Sequence, residues 1–206
     1  MKHQSGESVE ALSRARAVDG RKARSERSRQ QIIKALFKLV SAGEVSPSAA
    51  RVAENANVSL RTVFRHFEEI DSLYREMVNQ CEARFLPTFM RPFTATDWKG
   101  RLLELRDRRM QFFEDVLFLR ICTEARRHQS DVLMDDYRRF FRIERARLGS
   151  LLPESVQEDT NLMAAFDVAL CFETYRRLRQ ETGLSPEKTR AAVANLLDMI
   201  LAQVDA

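Results

Sequence analysis

From Ile32 to Val204 the apolar residues recur at three- and four-residue spacings, and no stretch alternates with period two. That periodicity specifies amphipathic helices and leaves no place for a half-buried strand. Glycine and proline number only six and five in 206 residues, whereas the good helix formers Ala, Leu, Arg and Glu abound. The expected elements cover 25–42, 48–55, 59–67, 71–85, 97–114, 116–127, 131–152, 159–182 and 186–204, about nine helices in an all-α chain. No internal repeat interrupts them.

Local signals mark the boundaries. Ile32, Leu36 and Val40 form one row, widened by Ile33, Phe37 and Leu39, and Gly43 follows as a C-terminal stop. Ser46-Pro47 reads as cap and first helical residue, with Ser48 as the other candidate cap. Pro87 and Pro92 break the chain and mark a domain junction. The organisation expected is a flexible arm over 1–24, a small helical domain over 25–70 and a larger one over 71–206. Charge follows the same division. Residues 1–66 carry 13 Lys and Arg against 6 Asp and Glu, a balance of +7, and residues 67–206 carry 21 against 24. A basic N-terminal third suits a polyanion, although a disordered basic tail without a partner would share that charge.

Other classes find little support. No apolar run reaches the length of a membrane span, and the N-terminus lacks the apolar stretch of a secretory signal. Cys81, Cys122 and Cys171 are far apart and each sits in an apolar helical pattern, which reads as buried thiols in a reducing compartment. A cytoplasmic location is expected. His3, His66 and His128 have no metal-ligand spacing, and Glu68-Glu69 and Asp135-Asp136 are helix neighbours whose side chains diverge. No nucleophile elbow, phosphate loop or H-E-x-x-H is present, so no enzyme, metal or cofactor is expected.

The stretch "RVAENANVSLRTVFRHF", residues 51–67, carries the chemistry. Two short apolar-patterned segments flank Asn57, and a helix-turn-helix needs such a sharp turn with a small contact residue beside it. Ala53 supplies the contact, and Val52, Ala56, Val58, Val63 and Phe67 supply apolar pins. Asn57 stands where positive φ is required and is the non-glycine residue that tolerates it best. With those pins inward, the outward face holds Leu60, Arg61, Thr62, Phe64, Arg65 and His66, a basic surface with an apolar ring suited to phosphates, guanine edges and thymine methyls.

The segment "AARVAENANVSLRTVFRHFEEIDSLYREM" resembles the DNA-binding signature of the TetR family of bacterial transcription regulators. It matches at Val52-Ala53, Ala56, Val58-Ser59, Thr62, Phe64, His66-Phe67 and Leu73. It departs at Asn57 for the usual Gly, at Phe64 for the commoner Tyr, and at Ile70 for a backbone-contacting Lys. The match is specific over about residues 27–80. Beyond them it rests on helix number and order.

That resemblance implies a homodimer on double-stranded DNA, bound at a palindromic operator and released by a small-molecule effector. It assigns Ser48 and Arg51 to phosphates, Leu60, Arg61 and Phe64 to bases, and Thr62, Arg65 and His66 to positioning. Ser59 as cap of the reading helix, with Arg24 and Arg27 of the basic arm, completes the expected DNA-binding set. For the effector, Met110, Phe113, Leu117, Ile121, Tyr137, Phe141, Met163 and Phe166 are candidate cavity residues, or simply core. The last two helices are apolar around most of their circumference, which calls for partners on two sides. Phe172, Tyr175, Val193, Leu197, Ile200, Leu201 and Val204 are therefore candidates for a dimer interface, or for an unusually central helix pair in a monomer. An effector-independent DNA-binding protein and an all-helical adaptor are the competing functions.

Overall fold

A computed structural model describes the backbone of residues 4–204 and the side chains of residue 20 and residues 22–204. The described chain is all-α, with no strand. Ten α-helices follow in order: α1 (Gln4–Ser41), α2 (Ala49–Asn55), α3 (Leu60–His66), α4 (Ile70–Phe89), α5 (Trp98–Arg126), α6 (Asp131–Gly149), α7 (Glu154–Glu158), α8 (Thr160–Leu170), α9 (Phe172–Arg176) and α10 (Pro186–Val204). A 3-10 turn joins α5 to α6, and a π turn follows α9. The chain divides into two compact units, Met1–Met77 and Val78–Ala206. The division falls inside α4, where the sequence reading puts it after residue 70.

The first unit closes around Ile32, Ile33, Leu36 and Val40 of α1, Val52 of α2, Val63 of α3, and Leu73, Tyr74 and Met77 of α4, all buried. Gly43 ends α1 at φ 87, with the Glu44 N–H reaching back to the Leu39 carbonyl. The second unit packs Leu102, Phe113, Phe166, Phe172, Tyr175 and Leu197 into one core.

Several boundaries differ from the expectation, each for a physical reason. The arm expected over 1–24 is helical from Gln4 onward and continuous with α1; its residues 1–3 lie outside the described residues. The segment lacks proline and is rich in Ala, Arg and Glu, so helix propensity suffices without an apolar stripe. Ser48, not Ser46, caps α2: its hydroxyl accepts from the Arg51 N–H at 3.2 Å, while Ser46 turns the loop at φ 67. Pro87 sits inside the last turn of α4 rather than ending it. The carbonyl it leaves unmatched belongs to exposed Ala83, where water can serve it. The expected break near residue 115 is absent, because Asp115 points outward and accepts from Gln111 on the preceding turn at 3.1 Å.

The helix expected over 159–182 is broken at Cys171, whose backbone is extended (φ −81, ψ 161). Side chains take up the helix-end groups there. Thr174 donates to the Val168 carbonyl, Cys171 Sγ accepts from the Thr174 N–H, and Arg109 donates from Nη1 to the Leu170 carbonyl at 3.2 Å. Arg109 is only 2% exposed, so burial pulls its guanidinium below the usual arginine range.

Candidate nucleic-acid interface

The turn between α2 and α3 is built on Asn57. Its φ of 52 lies in the left-handed region, its N–H reaches the Glu54 carbonyl at 3.1 Å, and the Val58 N–H reaches the Ala53 carbonyl at 3.0 Å. Those two bonds close α2 in the pattern that a left-handed residue permits. Ser59 then starts α3, its hydroxyl accepting from the Thr62 N–H at 3.1 Å and lying 2.9 Å from the Thr62 hydroxyl. Thr62 therefore supports the helix start.

α3 has one buried side chain, Val63, and Phe67 closes its far end. Arg29 of α1 lies over the Phe67 ring at 5.1 Å and pairs with Glu76 of α4 at 2.8 Å, which fixes the back of the helix. The opposite face is open: Leu60 is 43% and Phe64 46% exposed, and Arg61 and Arg65 are exposed beside them. Two large apolar side chains are thus held in water between arginines, an exposed surface that is both apolar and basic.

The flanking candidates are less free. Arg51 is exposed but already pairs with Glu54 at 2.8 Å and Glu44 at 3.4 Å, and the Glu54 bond chiefly raises its pKa. His66 is half-buried; burial, then Arg65 and Arg29, pushes it below the usual histidine range. Arg24 and Arg27 lie on α1, exposed, with Nε turned back to the Gly20 and Ala23 carbonyls at 3.2 and 3.3 Å.

In the second unit a cavity of about 60 Å³ lies among α4, α5 and α6. Of the candidate effector residues, Tyr137 alone lines it. Met110, Phe113, Leu117 and Phe166 are buried in the core, Ile121 packs against that core, and Phe141 and Met163 line a separate open groove. The cavity wall comes instead from Phe112, Val116 and Leu119 of α5, Phe140 of α6, and Val78 and Cys81 of α4. The α5 residues named from the sequence lie on its core face, and this cavity is lined by the helix's other apolar face. A signal was present: Phe112, Val116 and Leu119 form a second apolar row that ends in the polar Thr123, Glu124 and Arg127. Burial raises the Cys81 thiol to about 11, and Cys81 and Cys171 are half-buried where full burial was expected.

The dimer candidates divide between core and surface. Phe172, Tyr175, Val193 and Leu197 are buried in the chain's own core, and Ile200, Leu201 and Val204 pack partly against it. The break at Cys171 turns α9 inward, which an unbroken helical wheel does not anticipate. The apolar side chains left in water on α8 and α10 are Val168 at 63%, Met199 at 61% and Leu196 at 36% exposure, bordering a groove with Ala164, Ala165 and Ile200.

Among the described residues no helix is long and apolar enough to cross a membrane, and no group of side chains is placed to hold a metal ion. No family model matches the sequence, and neither does any curated protein. Solved structures do match in fold. A transcriptional regulator from Rhodococcus sp. Rha1 is similar at 18% identity and a TM-score of 0.65, over 85% of this chain and 96% of that one. A TetR transcription regulator from Haloarcula marismortui is similar at 15% identity and a TM-score of 0.62, over 84% of this chain and 98% of that one. The chain therefore has the all-α fold of TetR-type transcription regulators.

Proposed function

We propose that this chain is a DNA-binding transcription regulator of the TetR type, acting as a homodimeric repressor that a small molecule releases from a palindromic operator. One observation carries the reading: α3 turns Leu60, Arg61, Phe64 and Arg65 outward while Ser59 caps its start and Val63 and Phe67 are buried behind it. Arginine reads guanine edges, and the two apolar side chains suit thymine methyls and sugar faces. A second copy supplies the second reading helix, and such pairs sit about 34 Å apart on successive turns of one face of the duplex. The exposed α8 and α10 side chains Val168, Leu196 and Met199 support pairing through that face.

Release works through α4. This helix contributes Tyr74 and Met77 to the core of the reading unit and Val78 and Cys81 to the cavity wall of the other. A ligand that moves it alters the spacing of the paired reading helices, and a coupling of ~1–3 kcal/mol suffices to change operator occupancy severalfold. Duplex affinity against salt tests the proposal. A palindrome preferred ~10³-fold or more over random duplex, with a steep salt slope, is expected. Equal affinity for all duplexes points to a sequence-tolerant DNA-binding protein, and no duplex binding to an adaptor.

A further inference from the structure

The charges around the α4–α5–α6 cavity are unevenly satisfied. Glu82 accepts from Arg139 at 2.7 and 2.9 Å, and the same guanidinium reaches Asp136 at 3.4 Å. Glu124 has Arg120 at 3.9 Å, within ion-pair range though too far for a hydrogen bond, and burial raises its carboxyl toward the neutral form. Arg127 differs. Its guanidinium carbon lies 3.7 Å over the Tyr137 ring, and its buried Nε and Nη1 have no hydrogen-bond partner among the described residues. A guanidinium stays charged in any protein environment, and leaving its donors bare in a dry site is costly. The rest of the wall is mostly hydrocarbon, from Phe112, Val116, Leu119, Leu133 and Phe140, with Thr123 and Cys81 beside them.

We infer that this cavity binds an amphipathic monocarboxylate, its carboxylate accepting from the Arg127 guanidinium and its hydrocarbon body lying against the Phe112 and Phe140 rings. The inference rests on the reading of the protein as an effector-controlled regulator and names the chemical class of the effector. At about 60 Å³ the cavity is well below the ~300–1,000 Å³ usual for such sites, so the ligand enters by displacing a wall. The α4 side, carrying Val78 and Cys81, is the wall whose movement would be transmitted. A carboxylate is favoured over an amine because Glu82 and Asp136 already hold Arg139 and Glu124 has Arg120, whereas Arg127, which Glu124 reaches only through its charge, has two buried donors with no acceptor among the described residues.

Calorimetry with octanoate, octan-1-ol and octylamine on the full-length protein, without DNA, tests the inference. Octanoate should bind at one molecule per chain, about tenfold or more tighter than the alcohol or the amine. Arg127→Gln should bring octanoate to the affinity of octan-1-ol and leave the alcohol unchanged, whereas Arg127→Lys should keep part of the preference. Cys81→Trp, which fills the cavity from α4 without touching Arg127, should abolish binding of all three. Thermal unfolding of each variant checks that it folds. Tightest binding of octylamine, equal binding of the three probes, or binding of none would overturn the inference. Octanoate bound as described but without effect on duplex affinity would sustain the site and overturn the effector reading instead.

Discussion

The Tyr74 hydroxyl donates to the Pro47 carbonyl at 3.1 Å, tying the first half of α4 to the residue that precedes the cap of α2. Tyr74 is fully buried, so the bond has no water to replace it. Tyr74→Phe keeps the ring and removes the donor. We expect a loss of about 1 kcal/mol in urea unfolding, with Tm lower by about 2–4 °C. An unchanged midpoint would mean that the Pro47 carbonyl finds another partner.

The two arginines of the reading head should respond differently to mutation. Arg61 is exposed on α3, and if it reads a base as proposed, Arg61→Ala should relax base preference at one position and cost about 1–3 kcal/mol on the preferred duplex. Arg51 is already held by Glu54 and Glu44. Glu54→Gln should therefore raise affinity severalfold for every duplex alike, by releasing the nearer of Arg51's two carboxylate partners and removing a negative charge from the surface. Fluorescence anisotropy on matched and mismatched duplexes reads both effects. Equal weakening of all duplexes by Arg61→Ala would show that Arg61 meets phosphate rather than a base.

Acid stability has an identifiable source in the loop ahead of α5. Glu104 accepts from the Thr94 hydroxyl and from the Thr94 and Ala95 N–H groups, with Arg108 alongside, and its carboxyl is held down at about 2. The folded form binds this proton less readily than the unfolded form, whose value lies near 4.5. The contribution to stability is thus complete above pH 4.5 and is lost as pH falls from there toward 2. Glu104→Gln should flatten the fall in urea midpoint over that window and lower stability at pH 7. A variant with the parental pH slope would remove Glu104 as the source.

Substitution on α8 separates self-association from folding. Val168→Glu places a charge on the exposed apolar face, and the chain should then sediment as a monomer with its helix content intact. Affinity for a two-site duplex should fall ~10²-fold or more as the second attachment is lost. Leu197→Glu buries a charge in the core and should unfold the second unit instead. A dimeric Val168→Glu variant would put the interface elsewhere.

The α2–α3 turn was legible because its requirements are local. Asn57 at the turn, Ser59 as cap, Val63 inward and Phe64 outward follow from spacing and residue type within twenty positions, and each has the expected geometry. The rest depended on partners distant in sequence. Arg109 and Thr174 stabilise the break at Cys171, and a helical wheel drawn through that break misassigns Phe172 and Tyr175. On α5 both flanks of the helix are apolar, so periodicity alone could not choose between Met110-Phe113-Leu117 and Phe112-Val116-Leu119 as the cavity wall. The helical course of residues 4–24 carries no apolar stripe in the sequence, because a helix formed on propensity alone needs none.

The central claim is that two copies of the chain present their Leu60–His66 helices to successive major grooves of one duplex. Selection of bound duplexes from a random pool by the full-length protein tests it most directly. Two copies so placed should enrich an inverted repeat whose half-site centres lie one helical turn apart, about 34 Å, and Arg61→Ala should relax the selected sequence at one position of each half-site. A pool that stays random, or that yields a single site without twofold symmetry, would contradict it.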